Sequence, residues 1–167
     1  MLTPDVRCLV ITLSDRAAAG GYADRSGPRI CELLEAFFAA RHKRLLVESR
    51  LLPDDAQQLC AEIGHGVELA FDAIFTTGGT GVGPRDFTPD TVAALCDKQI
   101  PGIMEHIRVK FGASNPRARL TRAIAGVIGR TQIYTLPGSV RAVEEYMPEI
   151  LVTVEHLMDT LAEIDTH

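Results

Sequence analysis

The sequence predicts an α/β fold in three layers, α/β/α, with a mostly parallel central sheet. Three observations carry that prediction. The run Cys8-Leu9-Val10-Ile11 has no polar alternation, as in a strand covered on both faces. Strand candidates alternate along the chain with stretches whose apolar residues recur at helical spacing. Such alternation implies parallel strands joined by right-handed helical crossovers. A chain of 167 residues matches one domain with its own core, so residues 1–167 are expected to form a single domain.

The first strand is predicted over Arg7 to Thr12 and ends in a polar loop, Ser14 to Gly27. Ser26 is placed to cap the next helix and Pro28 suits its first turn; Ile30, Leu33, Leu34, Phe37 and Phe38 then form one apolar stripe. A second strand, Leu45 to Leu52, stops at Pro53. Asp54 and Gln57 have capping-box-like spacing for a helix carrying Leu59, Ile63 and Val67. A third strand, Ala73 to Thr77, runs into Gly78-Gly79-Thr80-Gly81-Val82-Gly83-Pro84. Thr88-Pro89 reads as an N-cap with a first-turn proline. A helix follows from Pro101 to about Phe111, then an irregular stretch around Asn115-Pro116. Strands near Ala125 to Ile128 and Thr131 to Leu136 read as a hairpin about Gly129-Arg130. Ser139 caps a last helix, interrupted or restarted at Pro148, with Ile150, Leu151, Val154, Leu157 and Leu161 on one stripe.

Seventeen basic against 22 acidic side chains give a net charge of −5, which disfavours nucleic-acid backbone and anionic membrane as partners. The one basic cluster, Arg41 to Arg44, follows an apolar helix, where cations complement the C-terminal dipole. Cys8, Cys31, Cys60 and Cys96 show no metal or redox spacing and read as buried free thiols. The start, Met1 to Asp5, has no signal-peptide pattern, so a cytoplasmic location is the default. None of the five histidines, His42, His65, His106, His156 and His167, lies in a loop that follows a strand or has i,i+4 metal spacing.

In parallel sheets, ligands bind outside the carboxyl ends of the strands. That rule selects the loops Leu13 to Gly27, Pro53-Asp54, Gly78 to Thr88 and Pro137-Gly138-Ser139, all rich in Gly, Pro, Asp, Ser, Thr and Arg. Four glycines in the six positions Gly78 to Gly83 free the backbone to aim successive N–H groups at one phosphate. The loop is neither a Walker A motif nor a dinucleotide fingerprint, and a plain flexible turn is the alternative. Asp54 and Asp86, at neighbouring strand ends, suit oxygen ligation of Mg²⁺ beside a phosphate site that lacks lysine. Capping by Asp54 and loop-fixing by Asp86 stay open as structural roles. Ser14-Asp15-Arg16 and Asp24-Arg25-Ser26-Gly27 read by themselves as turn chemistry and a surface ion pair.

Together, Thr76-Thr77-Gly78-Gly79-Thr80-Gly81, Pro84-Arg85-Asp86 and Thr88-Pro89-Asp90 closely resemble the signature of the molybdopterin adenylyltransferases of the MogA/MoaB type and of gephyrin-like G domains. Ser14-Asp15-Arg16, Asp24-Ser26-Gly27-Pro28, Leu52-Pro53-Asp54, Pro101-Gly102 and Leu136-Pro137-Gly138-Ser139 match in register, from residue 7 to about 150. The sequence departs from the pattern at Phe87, at Thr121, where Leu-Ser-Arg would carry Ser, and at Val140.

The resemblance implies a MogA/MoaB-like fold, usually trimeric, and a role in molybdenum cofactor biosynthesis. It implies transfer of AMP from Mg-ATP to the terminal phosphate of molybdopterin with release of pyrophosphate, yielding a product ready for a molybdenum-insertion partner protein. By position it assigns Asp54 and Asp86 as functional carboxylates and Mg²⁺ ligands. Thr77, Gly78, Gly79, Thr80, Gly81, Gly83 and Arg85 then hold nucleotide phosphates. Ser14, Asp15, Arg16, Asp24, Ser26, Pro137, Gly138 and Ser139 line the ligands. The alternative is a non-catalytic molybdopterin-binding or assembly module of the same fold. A Rossmann dehydrogenase is disfavoured, because no G-x-G-x-x-G follows the first strand.

Overall fold

Side chains alternate across a strand, so in β1 (Val6–Leu13) Cys8 and Val10 face one side of the sheet while Leu9 and Ile11 face the other, and all four are buried. A computed structural model describes residues 5–163; Met1 to Pro4 and Ile164 to His167 lie outside them. β1 is flanked by β2 (Leu45–Leu52) and β3 (Ala73–Thr77), both parallel to it, with Thr12 opposite Leu51 and Thr77. β6 (Thr131–Leu136) adds in parallel to β3, and β5 (Ala125–Ile128) pairs antiparallel to β6 as the predicted hairpin, with Gly129 at φ +58°. A strand not expected from sequence, β4 (Lys98–Gln99), closes the order β2-β1-β3-β6-β5-β4. Two exposed residues carry no periodic signal.

One face packs on α2 (Ser26–Ala39), α5 (Pro101–Gly112) and α6 (Val140–Leu161), where Ile30, Leu34, Phe38, Met104, Ile107, Ile150 and Val154 meet Cys8, Val10, Phe75 and Tyr134. The other face packs on α3 (Ala56–Glu68) and α4 (Thr88–Leu95), with Leu59, Ile63 and Val92 against Leu9, Ile11, Ile74 and Ile133. Complete burial of each large side chain contributes about 1.5–3 kcal/mol.

Helix starts differ from the sequence reading by one position. α2 begins at Ser26 itself, and it is the Asp24 Oδ1 that accepts from the Gly27 N–H at 3.2 Å. α3 is capped by Asp55, whose Oδ1 accepts from the N–H groups of Gln57 and Gln58 at 2.9 and 3.0 Å, which leaves Asp54 free of that role. α4 begins at Thr88, whose hydroxyl donates to the Gly78 carbonyl at 3.0 Å instead of capping. Ser139 does cap α6, accepting from the Ala142 N–H at 3.1 Å. That helix continues through Pro148, because buried residues on both sides of it, Tyr146 and Met147, then Ile150 and Leu151, outweigh the ~3 kcal/mol cost of an internal proline. The described cysteines are all free, but Cys60 is exposed on the outer side of α3, and only Cys8 is buried completely.

The four parallel strands end at one edge, with Leu13, Leu52, Thr77 and Leu136 side by side. The loops leaving them are tied together. Ser14 N–H donates to the Leu52 carbonyl, Gly78 N–H to the Leu136 carbonyl, and Thr77 Oγ1 to the Pro137 carbonyl, all at 3.0–3.1 Å. At the opposite end Arg41 donates to the Phe37 carbonyl in the last turn of α2 and pairs with Glu155, in keeping with a helix-terminal role for the basic cluster. Among the described residues no helix is long and apolar enough to cross a membrane.

Candidate active site

Ser14 has extended backbone and caps a single helical turn, α1 (Asp15–Ala18), accepting from the Ala17 N–H at 3.2 Å. This turn brings Asp15 beside Asp54. The two exchange hydrogen bonds: Asp54 N–H donates to Asp15 Oδ1 at 2.8 Å, and Asp15 N–H to Asp54 Oδ2 at 3.3 Å. Asp15 Oδ2 also accepts from the Arg85 guanidinium, so loops after β1, β2 and β3 converge. Ser14, Asp15, Arg16, Asp54, Gly79, Arg85 and Asp86 line one cavity of about 340 Å³ with Leu13 and Tyr22. Tyr22 was not anticipated; it lies under the Arg16 guanidinium at 5.1 Å, and a lone Tyr in a glycine-rich loop has no spacing signal.

The glycine loop has an inner frame and an open backbone. Gly78, at φ +108°, passes so close to the end of β1 that a Cβ would lie 2.3 Å from the Leu13 carbonyl oxygen. A Cβ on Gly79, at φ +66°, would lie 2.6 Å from Thr88 Oγ1. Gly81 and Gly83 make room for the Asp86 carboxylate, whose Oδ2 accepts from the Gly83 N–H at 2.8 Å. Thr77 and Thr80 are buried, and Thr80 Oγ1 accepts from Thr121 Oγ1 at 3.1 Å. Among the described residues, the N–H groups of Gly79, Thr80, Gly81, Val82 and Arg85 donate to no protein acceptor. Asp86 therefore both shapes the loop and faces the cavity.

Arg122 is a residue the sequence reading passed over, although the Leu-Ser-Arg pattern noted at Thr121 includes it. Its Nε donates to the Gly81 carbonyl at 2.7 Å, its Nη2 to the Asp86 carbonyl, and its Nη1 lies 2.9 Å from both oxygens of Asp90.

The remaining expected residues sit elsewhere. Asp24 accepts from Thr12 Oγ1 at 2.7 Å and from Ser26 Oγ at 3.5 Å, and it lines a separate groove of about 560 Å³ between α2 and β2. Pro137 and Ser139 line another cavity, of about 220 Å³, with Arg117, Thr121, Arg141 and Tyr146. Gly138 lies between, since a Cβ there would be 3.2 Å from Gly78 Cα.

Three carboxylates and two guanidiniums line the first cavity. Arg85 is already paired with Asp15, so an entering polyphosphate meets the charges of Asp54 and Asp86. Each of these leaves its Oδ1 without a hydrogen bond among the described residues. Nor does any group of three or more His, Cys, Asp or Glu among the described residues form a protein-only metal cage. This donor set fits Mg²⁺, which is commonly held by one or two carboxylates together with substrate phosphates.

Residues 9–156 match the family model described as "Probable molybdopterin binding domain". The chain is 34% identical over 157 residues to gephyrin of Dictyostelium discoideum, covering 88% of this chain and 21% of gephyrin. It is 32% identical to the molybdenum cofactor biosynthesis bifunctional protein of Chlorobaculum tepidum, of which it spans 48%, so it corresponds to only part of these longer relatives. With the molybdopterin adenylyltransferase of Escherichia coli it shares 30% identity over 166 residues, 97% of this chain and 78% of that protein. The crystal structure of molybdenum cofactor biosynthesis protein B superposes with a TM-score of 0.85 at 32% identity, over 97% of this chain and 99% of that one. A MogA structure gives 0.84 at 32% identity, over 93% and 99%. By sequence match and by shared six-stranded architecture, this chain belongs to the molybdopterin-binding domain family of the MogA and MoaB proteins.

Proposed function

We propose that this chain is a molybdopterin adenylyltransferase, which joins AMP from Mg-ATP to the terminal phosphate of molybdopterin. The observation that carries the reading is a run of unpartnered amides, Gly79 to Val82 and Arg85, beside a cavity that Asp54 and Asp86 share. Nucleotidyl transfer asks for positioning and charge neutralisation more than for a protein nucleophile. The amides and Arg85 hold nucleotide phosphates, with Arg85 exchanging Asp15 for a phosphate oxygen. Asp54 and Asp86 would hold Mg²⁺ through their free oxygens, and the bound ion would supply charge neutralisation for the phosphates. Ser14, Asp15 and Arg16 line this nucleotide end, and Pro137 and Ser139 border the neighbouring cavity, with Arg117 and Arg141, where an anionic substrate is accommodated, while Gly138 lies against Gly78 between the two.

An oxygen of the molybdopterin phosphate attacks the α-phosphorus in line. A P–O bond forms, the bond to the bridging oxygen breaks, and pyrophosphate leaves with the electron pair. That nucleophile is ionised at neutral pH, so no general base is required. The proposal includes a single domain over residues 1–167, a homotrimer in the cytoplasm, and delivery of the product to a molybdenum-insertion partner protein.

Incubating the protein with molybdopterin and Mg-ATP should yield adenylylated pterin by mass, with one pyrophosphate per product. Calorimetry showing pterin binding and no response to Mg-ATP would instead support a non-catalytic binding module. Asp86→Asn retains an oxygen for the Gly83 N–H, so the fold should persist while turnover falls at least ~100-fold. Light scattering tests the trimer.

A further inference from the structure

We infer that Arg122 is the positioning residue of the phosphate cradle, holding the carbonyl side of the 80–86 turn so that its amide side is presented to the nucleotide; this rests on the adenylyltransferase reading. The backbone N–H of Arg122 donates to the Thr80 carbonyl at 2.8 Å, its Nε to the Gly81 carbonyl at 2.7 Å, and its Nη2 to the Asp86 carbonyl. One residue thus grips both ends of the turn. In a trans peptide the C=O of one residue and the N–H of the next point in opposite directions. Drawing the Thr80, Gly81 and Asp86 carbonyls towards Arg122 turns the N–H groups of Gly81, Val82 and Phe87 away from it. Among the described residues none of those three N–H groups has a protein acceptor.

Charge is not the means by which Arg122 acts. Nη1 lies 2.9 Å from both Asp90 oxygens, so the guanidinium is paired where it stands, and it is not part of the cavity wall. Its contribution is the planar fork, which fixes two carbonyls and one carboxylate together. Lysine keeps the charge but has no such fork. Thr121 supports the same strap through its hydroxyl bond to Thr80 Oγ1. The turn would otherwise depend on its glycines, which favour many backbone conformations.

Arg122→Lys, Arg122→Ala and Asp90→Asn are compared with the unaltered chain in adenylylation assays in which ATP and molybdopterin are varied separately. Arg122→Lys should lower kcat/KM for ATP about 100-fold, the scale of a small misplacement of binding groups, and leave KM for molybdopterin unchanged. Guanidinium ion should restore part of the activity of Arg122→Ala. By amide NMR, Gly81 and Val82 should respond to Mg-pyrophosphate in the unaltered chain and not in Arg122→Lys. Unchanged ATP parameters in a folded Arg122→Lys protein overturn the proposal, as does an equal loss towards both substrates without guanidinium rescue. Should both Arg122 variants fail to fold, Asp90→Asn decides: a smaller, ATP-selective loss supports the role and no loss overturns it. If the unaltered chain's amides ignore Mg-ATP and Mg-pyrophosphate altogether, the nucleotide reading falls and the positioning role with it; normal nucleotide binding in every variant removes the positioning role alone.

Discussion

Replacing Asp54 and Asp55 one at a time separates catalysis from stability across a single peptide bond. Asp55 has φ −135° and ψ 115°, and its Oδ1 accepts from two N–H groups at the start of α3, with Gln58 Nε2 adding a bond to Oδ2 at 3.3 Å. Hydrogen bonds from Gln58, its backbone first, hold this carboxyl below its ordinary value of 3.8. Asp55→Ala removes the cap and should lower the thermal midpoint by about 2–4 °C in a chain of this size, with turnover unchanged. The Asp54 carboxylate makes one long bond, 3.3 Å from the Asp15 N–H, and caps nothing. Asp54→Asn should leave the midpoint unchanged and slow adenylylation at least ~100-fold, roughly 2.7 kcal/mol of barrier. Thermal unfolding followed by circular dichroism and a pyrophosphate-release assay read the two quantities independently. Equal inactivation by both substitutions, or full activity in Asp54→Asn, would refute the division of roles.

Gly79→Ala should weaken Mg-ATP binding and lower the thermal midpoint, because the new Cβ would sit at φ +66° and 2.6 Å from the Thr88 hydroxyl that secures Gly78. Gly64→Ala is its control: a Cβ there meets nothing within 4 Å, so calorimetric binding should hold and stability should rise by about 0.5–1 kcal/mol. Glu155 bonds Lys43 and Arg41 at 2.8 and 2.7 Å, and these cations, Lys43 foremost, hold its carboxyl below the ordinary value of 4.5. A lowered folded-state pKa stabilises above that ordinary value and the gain is lost as pH falls through the folded value. The difference in urea midpoint between the unaltered chain and Glu155→Gln should therefore be present at pH 7 and shrink below pH 4.5; a pH-independent difference would contradict it.

The longer strands and helices were legible because their signals are local, whereas the two-residue β4 and the single-turn α1 carry none. Cys8 to Ile11 announces a strand covered on both faces, and Ile30, Leu34 and Phe38 announce a buried helix stripe, whatever lies elsewhere in the chain. Of the loops picked out by the carboxyl-edge rule, three converge, with Ser14, Asp15, Arg16, Asp54, Gly79, Arg85 and Asp86 bordering one cavity. Caps were less legible. Runs such as Arg25-Ser26 and Asp54-Asp55 offer adjacent candidates, and only backbone dihedrals decide which one meets the first free N–H groups.

From its amino-acid order alone, this protein determined a parallel α/β sheet and the edge where polar loops gather, since periodicity depends only on near neighbours along the chain. Tertiary structure decided the rest: that Asp24 braces Thr12 and Gly27 rather than the cavity of Asp54 and Asp86, and that Arg122, 36 residues after Asp86, orients the glycine loop. Such roles depend on how peptide planes are turned, and contacts between distant stretches of chain set that orientation.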